Sequence, residues 1–344
     1  MSRNSIPCIA VDATGGDLGS QVIVAGAVQA ARELKGAAEV VLFGDEHTMR
    51  VELSKLGTDG LPLRLIHAPE VIGMGEGAVA FRKKRNSSIA VATKLQKEGK
   101  ADAFVSAGNT GVVVAASLLG LGRLSGVDRP AIATVVPNEF GGCVMLDVGA
   151  NSDCKPVNLV QFGIMGSIYA RNFLERPEPK VGLLNIGEEG TKGSDLAVEA
   201  HKLLSESPLK FIGNVEGRDV FRGRADVVVC DGFTGNILLK FMESVIHLLA
   251  ASIREEVDSA FRNKVGALLM KPAFKRLERM LDYAEYGGAP LLGVDGVCII
   301  CHGSSSAKAV KNAVKAAVRF VETRVNDIIR DELTLYTGGK VEAH

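Results

Sequence analysis

Lys192, Asn236, His302, Asn109 and Asp231 are residues whose types and settings in this sequence suit catalysis. Each stands where an apolar run of strand length gives way to Gly, Asn, Asp and Thr, and then to a helical pattern. The loops are VSAGNTG ending at Gly111, MLDVGAN ending at Asn151, LLNIGEEGTKG ending at Gly193, VVVCDGFTGN ending at Asn236 and CIICHGSSS ending at Ser306. In an open α/β sheet, ligands bind beyond the carboxyl ends of the strands. Glycine lets backbone approach a ligand closely, and a helix N-terminus favours an anion. Together these loops describe a rim suited to phosphate.

The residue types narrow the chemistry. Lys192 follows Thr191 in GEEGTKG and suits a point charge on phosphate, although a lysine in a glycine loop is also commonly solvated. It is not a Walker loop, which needs G-x-x-x-x-G-K-[ST], and no clean G-x-G-x-x-G follows the first strand. Nucleotide hydrolysis and a dinucleotide site are both poorly supported. Asn109 and Thr110, between Gly108 and Gly111, read either as a helix N-cap or as a backbone nest for an oxyanion. Asp12 and Asp17 in DATGGD orient donors or cap a helix. His302 is a candidate acid, base or phosphate donor, or a strand-end histidine bonded to backbone. Ser304, Ser305 and Ser306 read as a cap and anion loop, and no G-x-S-x-G elbow exists. These parts suit phosphate attacking a thioester. The thiolate leaves easily, so the protein must position phosphate and stabilise a tetrahedral oxyanion. Spacing alone does not select this reaction over others.

The elements that must position these loops alternate. Strands are expected at Cys8–Asp12, Glu39–Phe43, Leu63–His67, Ala103–Ser106, Ala131–Val136, Val144–Val148, Val181–Asn185, Lys210–Gly213, Val227–Cys230 and Val297–Cys301. Helices are expected at Ser20–Leu34, Ser87–Lys97, Gly111–Leu119, Val157–Phe173, Ser194–Leu204, Gly235–Phe261 and Ser305–Arg330. This pattern implies an α/β fold with a mostly parallel sheet and helices on both faces. The expected organisation is one catalytic domain over 5–333, a helical hairpin excursion over 241–285 and a frayed tail over 338–344.

Composition bounds the function. Of 344 residues 47% are hydrophobic and 23% charged, an ordinary globular balance. Forty basic and forty acidic residues cancel, and tryptophan is absent, so nothing points to nucleic acid. The N-terminus shows no signal-peptide pattern, and no uncharged apolar run reaches about 18 residues, so a cytoplasmic protein is expected. The six cysteines fit a reducing compartment. Cys298-Ile-Ile-Cys301-His302 matches the haem-attachment string. It lies in a strand, where positions three apart face opposite ways, so neither haem nor a metal is expected.

Two stretches break the rhythm. VIGMGEGAVAFRKKRNSS (Val71–Ser88) carries the positive run Arg82, Lys83, Lys84 and Arg85, either a solvated helix start or an anion-facing flap. The second stretch is Phe241–Tyr286. Phe241, Val245, Leu249, Ile253, Val257 and Phe261 fall four apart, an apolar stripe on one helix. Leu268, Leu269, Met270 and Phe274 then cluster around Pro272, which is expected to break the helix. From Arg262 to Arg279, six basic residues including Lys271 and Lys275 oppose one acid, a local charge of +5. That suits an anionic membrane surface, an acidic protein partner or a dimer contact.

Seven segments, in order, resemble the bacterial phosphate acyltransferase family of phospholipid synthesis. They are DATGGD, SAGNTG, LDVGAN, NIGEEGTKG, DGFTGNILLK, YGGAPLLGVDG and HGSS, spanning the first strand to the last helix. The resemblance implies a three-layer α/β/α sandwich, similar to phosphotransacetylase and the isocitrate/isopropylmalate dehydrogenase group, assembled as a homodimer. It implies transfer of a long acyl chain from acyl carrier protein to inorganic phosphate, without a cofactor. A membrane acyltransferase would then pass the acyl group to glycerol 3-phosphate. It also implies a cytoplasmic enzyme peripherally associated with the membrane. On this reading Lys192 and His302 bind phosphate, while Asn109, Asn236 and nearby amides hold the oxyanion or thioester. Asp231 and Asn185 orient them, and Asn151 lines the pocket. Gly108, Thr110, Gly111, Gly187, Thr234, Gly235, Ser304 and Ser305 complete the substrate contacts.

Overall fold

The structure is a computed structural model that describes residues 6–281 and 283–341. Its strands are β1 (Cys8–Asp12), β2 (Glu39–Gly44), β3 (Leu63–His67), β4 (Ala103–Ser106), β5 (Ala131–Val136), β6 (Cys143–Leu146), β7 (Lys180–Leu184), β8 (Lys210–Val215), β9 (Val227–Val229), β10 (Ala289–Leu292) and β11 (Val297–Ile300). They form one sheet in the order β3-β2-β1-β4-β11-β10-β5-β6-β9-β7-β8. The helices are α1 (Ser20–Leu34), α2 (Glu46–Ser54), α3 (Ala80–Lys83), α4 (Ser88–Lys97), α5 (Thr110–Gly120), α6 (Pro156–Phe173), α7 (Asp195–Ser205), α8 (Gly217–Phe221), α9 (Gly232–Ser259), α10 (Phe261–Leu281), α11 (Ala307–Thr323) and α12 (Val325–Val341).

The strands are mostly buried on both faces, so they read as continuous apolar runs. Two cores result. One face packs against α1, α2, α6, α7, α11 and α12; the other packs against α3, α4, α5, α8 and the start of α9. This is the expected three-layer sandwich. The helix α11 illustrates the local cause. Ala309, Val310, Ala313, Val314, Ala317 and Val318 repeat at helical spacing and are buried, and Ser306 caps the helix by accepting from Ala309 N at 3.3 Å.

The sheet is mostly parallel, but in two blocks of opposite sense. β3, β2, β1, β4 and β11 run together, as do β6, β9, β7 and β8. Between them β10 pairs antiparallel with β11 and β5, and β5 antiparallel with β6. The short strands β4, β6, β9 and β11 stop near this reversal, so loops from both blocks reach one place.

Several sequence expectations change. β10 was not anticipated, nor were α2, α3 and α8. The expected helix over Ser305–Arg330 is two helices, because Arg324 takes a left-handed conformation (φ 52°). Pro272 does not end its helix: α10 runs through it, and the hairpin turns at Ala260 instead. Leu268, Leu269 and Met270 are therefore exposed along α10 rather than gathered at a helix break. Of the tail expected to fray, 338–341 belong to α12, and 342–344 lie outside the described residues.

The α9–α10 hairpin carries much exposed apolar surface, including Phe241, Leu249, Ile253 and Leu269. α9 is long and apolar enough to cross a membrane by length and composition. Its first three turns are nevertheless part of the cavity described next, which ties it laterally to the sheet.

Candidate active site

A cavity of about 380 Å³ opens at the sheet reversal, within the usual range for small-molecule sites. Ile132 and Thr134 of β5, Ile300 of β11 and the Val148–Gly149 loop line it, together with Leu239, Phe233 and Tyr286. Two helix N-termini reach this largely apolar chamber: Thr110 and Gly111 begin α5, and Gly232 and Phe233 begin α9. The first amides of a helix have no intrahelical acceptor. Those of Thr110, Gly111 and Phe233 have no protein acceptor among the described residues, and suit an anion.

Each terminus is fixed by a side chain. Asn109 caps α5, its Oδ1 accepting from Val112 N at 3.1 Å. Its Nδ2 donates to Met74 O (2.5 Å) and Glu76 O (3.2 Å) of the 71–88 flap. The amide is thus engaged, and Asn109 positions the helix and flap instead of meeting an oxyanion. Asp231 caps α9 by accepting from Thr234 N (2.9 Å) and Thr234 Oγ1 (2.7 Å), so the pair aims the helix that carries Asn236. Asn236 lines the cavity, is exposed, and its side chain has no hydrogen-bond partner among the described residues.

Beneath α9 sits Asp147, fully buried. Its carboxylate accepts from the amides of Ile132 (3.1 Å), Gly149 (3.1 Å), Ala150 (2.9 Å) and Asn151 (2.7 Å), and from Asn151 Nδ2 (2.8 Å). Burial pushes this carboxyl above the usual carboxylate range, with the donors from Ala150, Asn151 and Ile132 working against it. Asn151 spends its other amide hydrogen on Pro130 O at 2.6 Å. It is therefore a buried brace and not a lining residue; its neighbours Gly149 and Ser152 line the cavity. α9 docks on this loop so closely that a Cβ at Gly235 would stand 2.0 Å from Asp147 O, and one at Gly232 would stand 2.6 Å from Asn151 O. Only glycine fits there.

The cavity's cation is Lys240. Its Nζ lies 2.8 Å from His302 Nε2 and 3.0 Å from Glu243 Oε2. An ammonium has no lone pair, so it donates to Nε2, while Nδ1 lies 2.7 Å from Ser304 Oγ and 3.2 Å from Ser304 N, which holds the ring against that loop. Sequence reading missed Lys240. The signal was present: Asn236 and Lys240 are four apart on one helix and therefore share a face. Ser305 is buried behind His302, and its Oγ has no partner among the described residues.

Lys192 does not line the cavity. Its loop follows β7, two strands beyond β6, and the side chain is exposed. Asn185 organises that loop by donating from Nδ2 to Lys192 O at 2.8 Å, and Gly187 packs beneath the Lys192 stem. Gly108 also stays behind the cavity wall, bonded through its amide to Ser106 Oγ at 3.0 Å.

Cys301 lines the cavity, but burial pushes its thiol up to about 12. Near neutral pH roughly one in 10⁵ would be thiolate, too little for a covalent acyl acceptor. Burial likewise pushes Cys143 and Cys298 to about 12 and Cys230 well above the usual thiol range. Iodoacetamide is expected to leave these four unlabelled in the native protein and to label them in denaturant, as read by peptide mass spectrometry. Rapid native labelling of Cys301 would reopen a cysteine nucleophile.

Comparison with known proteins places this architecture. The family described as fatty acid synthesis protein matches residues 8–328. Phosphate acyltransferase of Pelotomaculum thermopropionicum is 51% identical over 326 residues, covering 94% of each chain. That of Heliobacterium modesticaldum is 53% identical over 337 residues, covering 97% of this chain and 98% of the relative. Among solved structures, a phosphotransacetylase from Streptococcus pyogenes superposes with a TM-score of 0.59 at 19% identity, covering 92% of this chain and 94% of the other. The EutD phosphotransacetylase from Staphylococcus aureus does so at 0.57 and 19%, with the same coverage. At that identity they speak for the fold alone. The near-complete sequence matches carry the family: this chain belongs to the phosphate acyltransferases.

Proposed function

We propose that this protein transfers a long-chain fatty acyl group from acyl carrier protein to inorganic phosphate, releasing acyl phosphate for phospholipid synthesis. Family membership makes it an acyltransferase of fatty-acid and lipid synthesis. The observation that carries the finer reading is the cavity: two helix N-termini and the Lys240–His302 pair meet on otherwise apolar walls. Phosphate sits on the free amides of Thr110, Gly111 and Phe233 with Lys240 as counter-charge, and the acyl group takes the apolar wall. A phosphate oxygen attacks the thioester carbon. Asn236 donates to the resulting oxyanion, and collapse breaks the C–S bond. The thiolate leaves and takes a proton from solvent. His302, held by Lys240 and Ser304, orients the nucleophile. Lys192, exposed on the neighbouring loop, guides phosphate inward.

The test is phosphate-dependent release of carrier thiol from palmitoyl-acyl carrier protein, with acyl phosphate identified by mass spectrometry. Product requiring both protein and phosphate supports the reading. Acetyl phosphate from acetyl-CoA, with none from the carrier thioester, would replace it by a short-chain phosphotransacetylase.

The hairpin supplies the remaining contacts of this reading. The stripe Phe241, Val245, Leu249 and Ile253 on α9 meets a second copy, giving a homodimer. Leu268, Leu269 and Met270, with Lys271 and Lys275 beside them and Phe274 half-buried, meet the anionic inner face of the cell membrane. There a membrane acyltransferase takes up the product. Replacing Leu268 and Leu269 by Glu is expected to release the protein from anionic liposomes in flotation; unchanged flotation would remove lipid contact from this helix.

A further inference from the structure

The 71–88 flap does more than cover a loop. Glu76 Oε1 accepts from Lys84 Nζ at 2.5 Å and from Gly73 N at 2.7 Å, and Lys84 also donates to Val71 O at 2.7 Å. One basic residue of the run is therefore spent inside the flap and stiffens it. The other three, Arg82, Lys83 and Arg85, are exposed and form no ion pair among the described residues. Beside them Val71, Met74 and Val79 are exposed, Val79 at 63%. A braced segment that carries three unpaired cations and three exposed apolar side chains has the make-up of a protein-docking surface.

Its position ties it to the cavity mouth. Asn109 holds Met74 O and Glu76 O through Nδ2 while capping α5, whose next two residues line the cavity. On the other side, Met74 Cε packs 2.9 Å from where a Cβ at Gly303 would stand, next to His302. The patch and the cavity thus share a rim. By contrast, the cations of α10 lie on the hairpin arm, away from the cavity lining.

We propose that Arg82, Lys83 and Arg85, with Val71, Met74 and Val79, form the docking surface for the donor: an acidic carrier protein that presents its acyl thioester on a flexible arm. This rests on the carrier-thioester reading above. Charge complementarity selects an acidic protein face, and the shared rim lets the arm enter the cavity while the carrier stays docked.

The experiment compares the full-length wild type with an Arg82→Glu, Lys83→Glu, Arg85→Glu variant, using palmitoyl-acyl carrier protein and, separately, palmitoyl-pantetheine. The variant is expected to show a KM for the carrier thioester raised at least tenfold, with kcat and turnover of palmitoyl-pantetheine unchanged. The wild-type KM should rise with salt and the variant's should not. An unchanged carrier KM in the variant overturns the proposal. If a Lys271→Glu, Lys275→Glu variant instead raises the carrier KM, the carrier docks on the hairpin. Loss of anionic-vesicle binding with an unchanged carrier KM would reassign the flap to the membrane and also overturn it. Wild type that turns over palmitoyl-pantetheine but not the carrier thioester would overturn the donor reading itself, and is distinguishable from these results.

Discussion

Lys240→Ala is expected to lower kcat/KM about 10²–10³-fold while leaving folding stability within about 0.5 kcal/mol of wild type. The contrast follows from position. The side chain is 46% exposed, so it contributes little to packing, and its ion pair with Glu243 is an exposed i,i+3 pair of small worth. In the cavity it is the cation beside the two helix N-termini, where walls of Ile132, Val148 and Ile300 reduce screening of a bound anion. A donor aimed at transition-state charge in such a site is worth about 2.7–4 kcal/mol. KM for phosphate should rise as kcat falls, since the same ammonium meets phosphate before and during attack. Lys240→Arg keeps the charge but not the compact geometry toward His302 Nε2, so partial activity is expected. Lys192→Ala, assayed alongside, decides between the two lysines. Loss with Lys192→Ala and none with Lys240→Ala would move the anion to the β7 loop.

Asp147→Ala is expected to destabilise the protein by about 3–5 kcal/mol, with a fall in Tm on the order of 5–10 °C. Truncation leaves four backbone amides and one side-chain amide without their acceptor, in a place water does not reach. Asp147→Asn keeps the shape but turns an NH2 group toward donors, so it should fall between. Activity should suffer in both. Gly149 packs against Asn236, and α9 rests on the same loop at Gly232 and Gly235. A melting temperature for Asp147→Ala indistinguishable from wild type would mean the loop is held by other means.

The alternation of strands and helices was legible because buried strands in a parallel block form apolar runs that glycine loops punctuate. β10 was not legible. It is four residues long, contains Pro290, and nevertheless lies in the middle of the sheet. Proline argues against a central strand because it cannot donate to a ladder. Gly287, Gly288 and Gly293, all at positive φ, frame the segment as if it were a turn. Pro272 misled in the opposite sense: α10 tolerates it, and the chain turns where no glycine or proline stands. Arg324 adopts the left-handed conformation with no residue that advertises it. Four of the five loops singled out in the sequence line the cavity and the β7 loop does not, and residue types did not reveal the jobs within them. Asn109 read in sequence as either a cap or an oxyanion residue and Asn151 as a pocket residue, and their hydrogen bonds decide for a cap and a brace. Lys240 lies one helical turn past the loop motif, so a reading confined to loops passes over it.

The order in which the sheet is strung has a consequence for synthesis. β4 pairs with β11, and β5 with β10, although the partners lie far apart along the chain. Until residues 289–300 leave the ribosome, the two blocks remain separate half-sheets, each with a raw inner edge at β4 or β5. Such edges recruit foreign strands, and contacts of long sequence separation form slowly. The late β10–β11 hairpin acts as a keystone: inserting it seals both edges and brings His302 to Lys240. The nascent chain therefore acquires its cavity and its protection from aggregation in the same event.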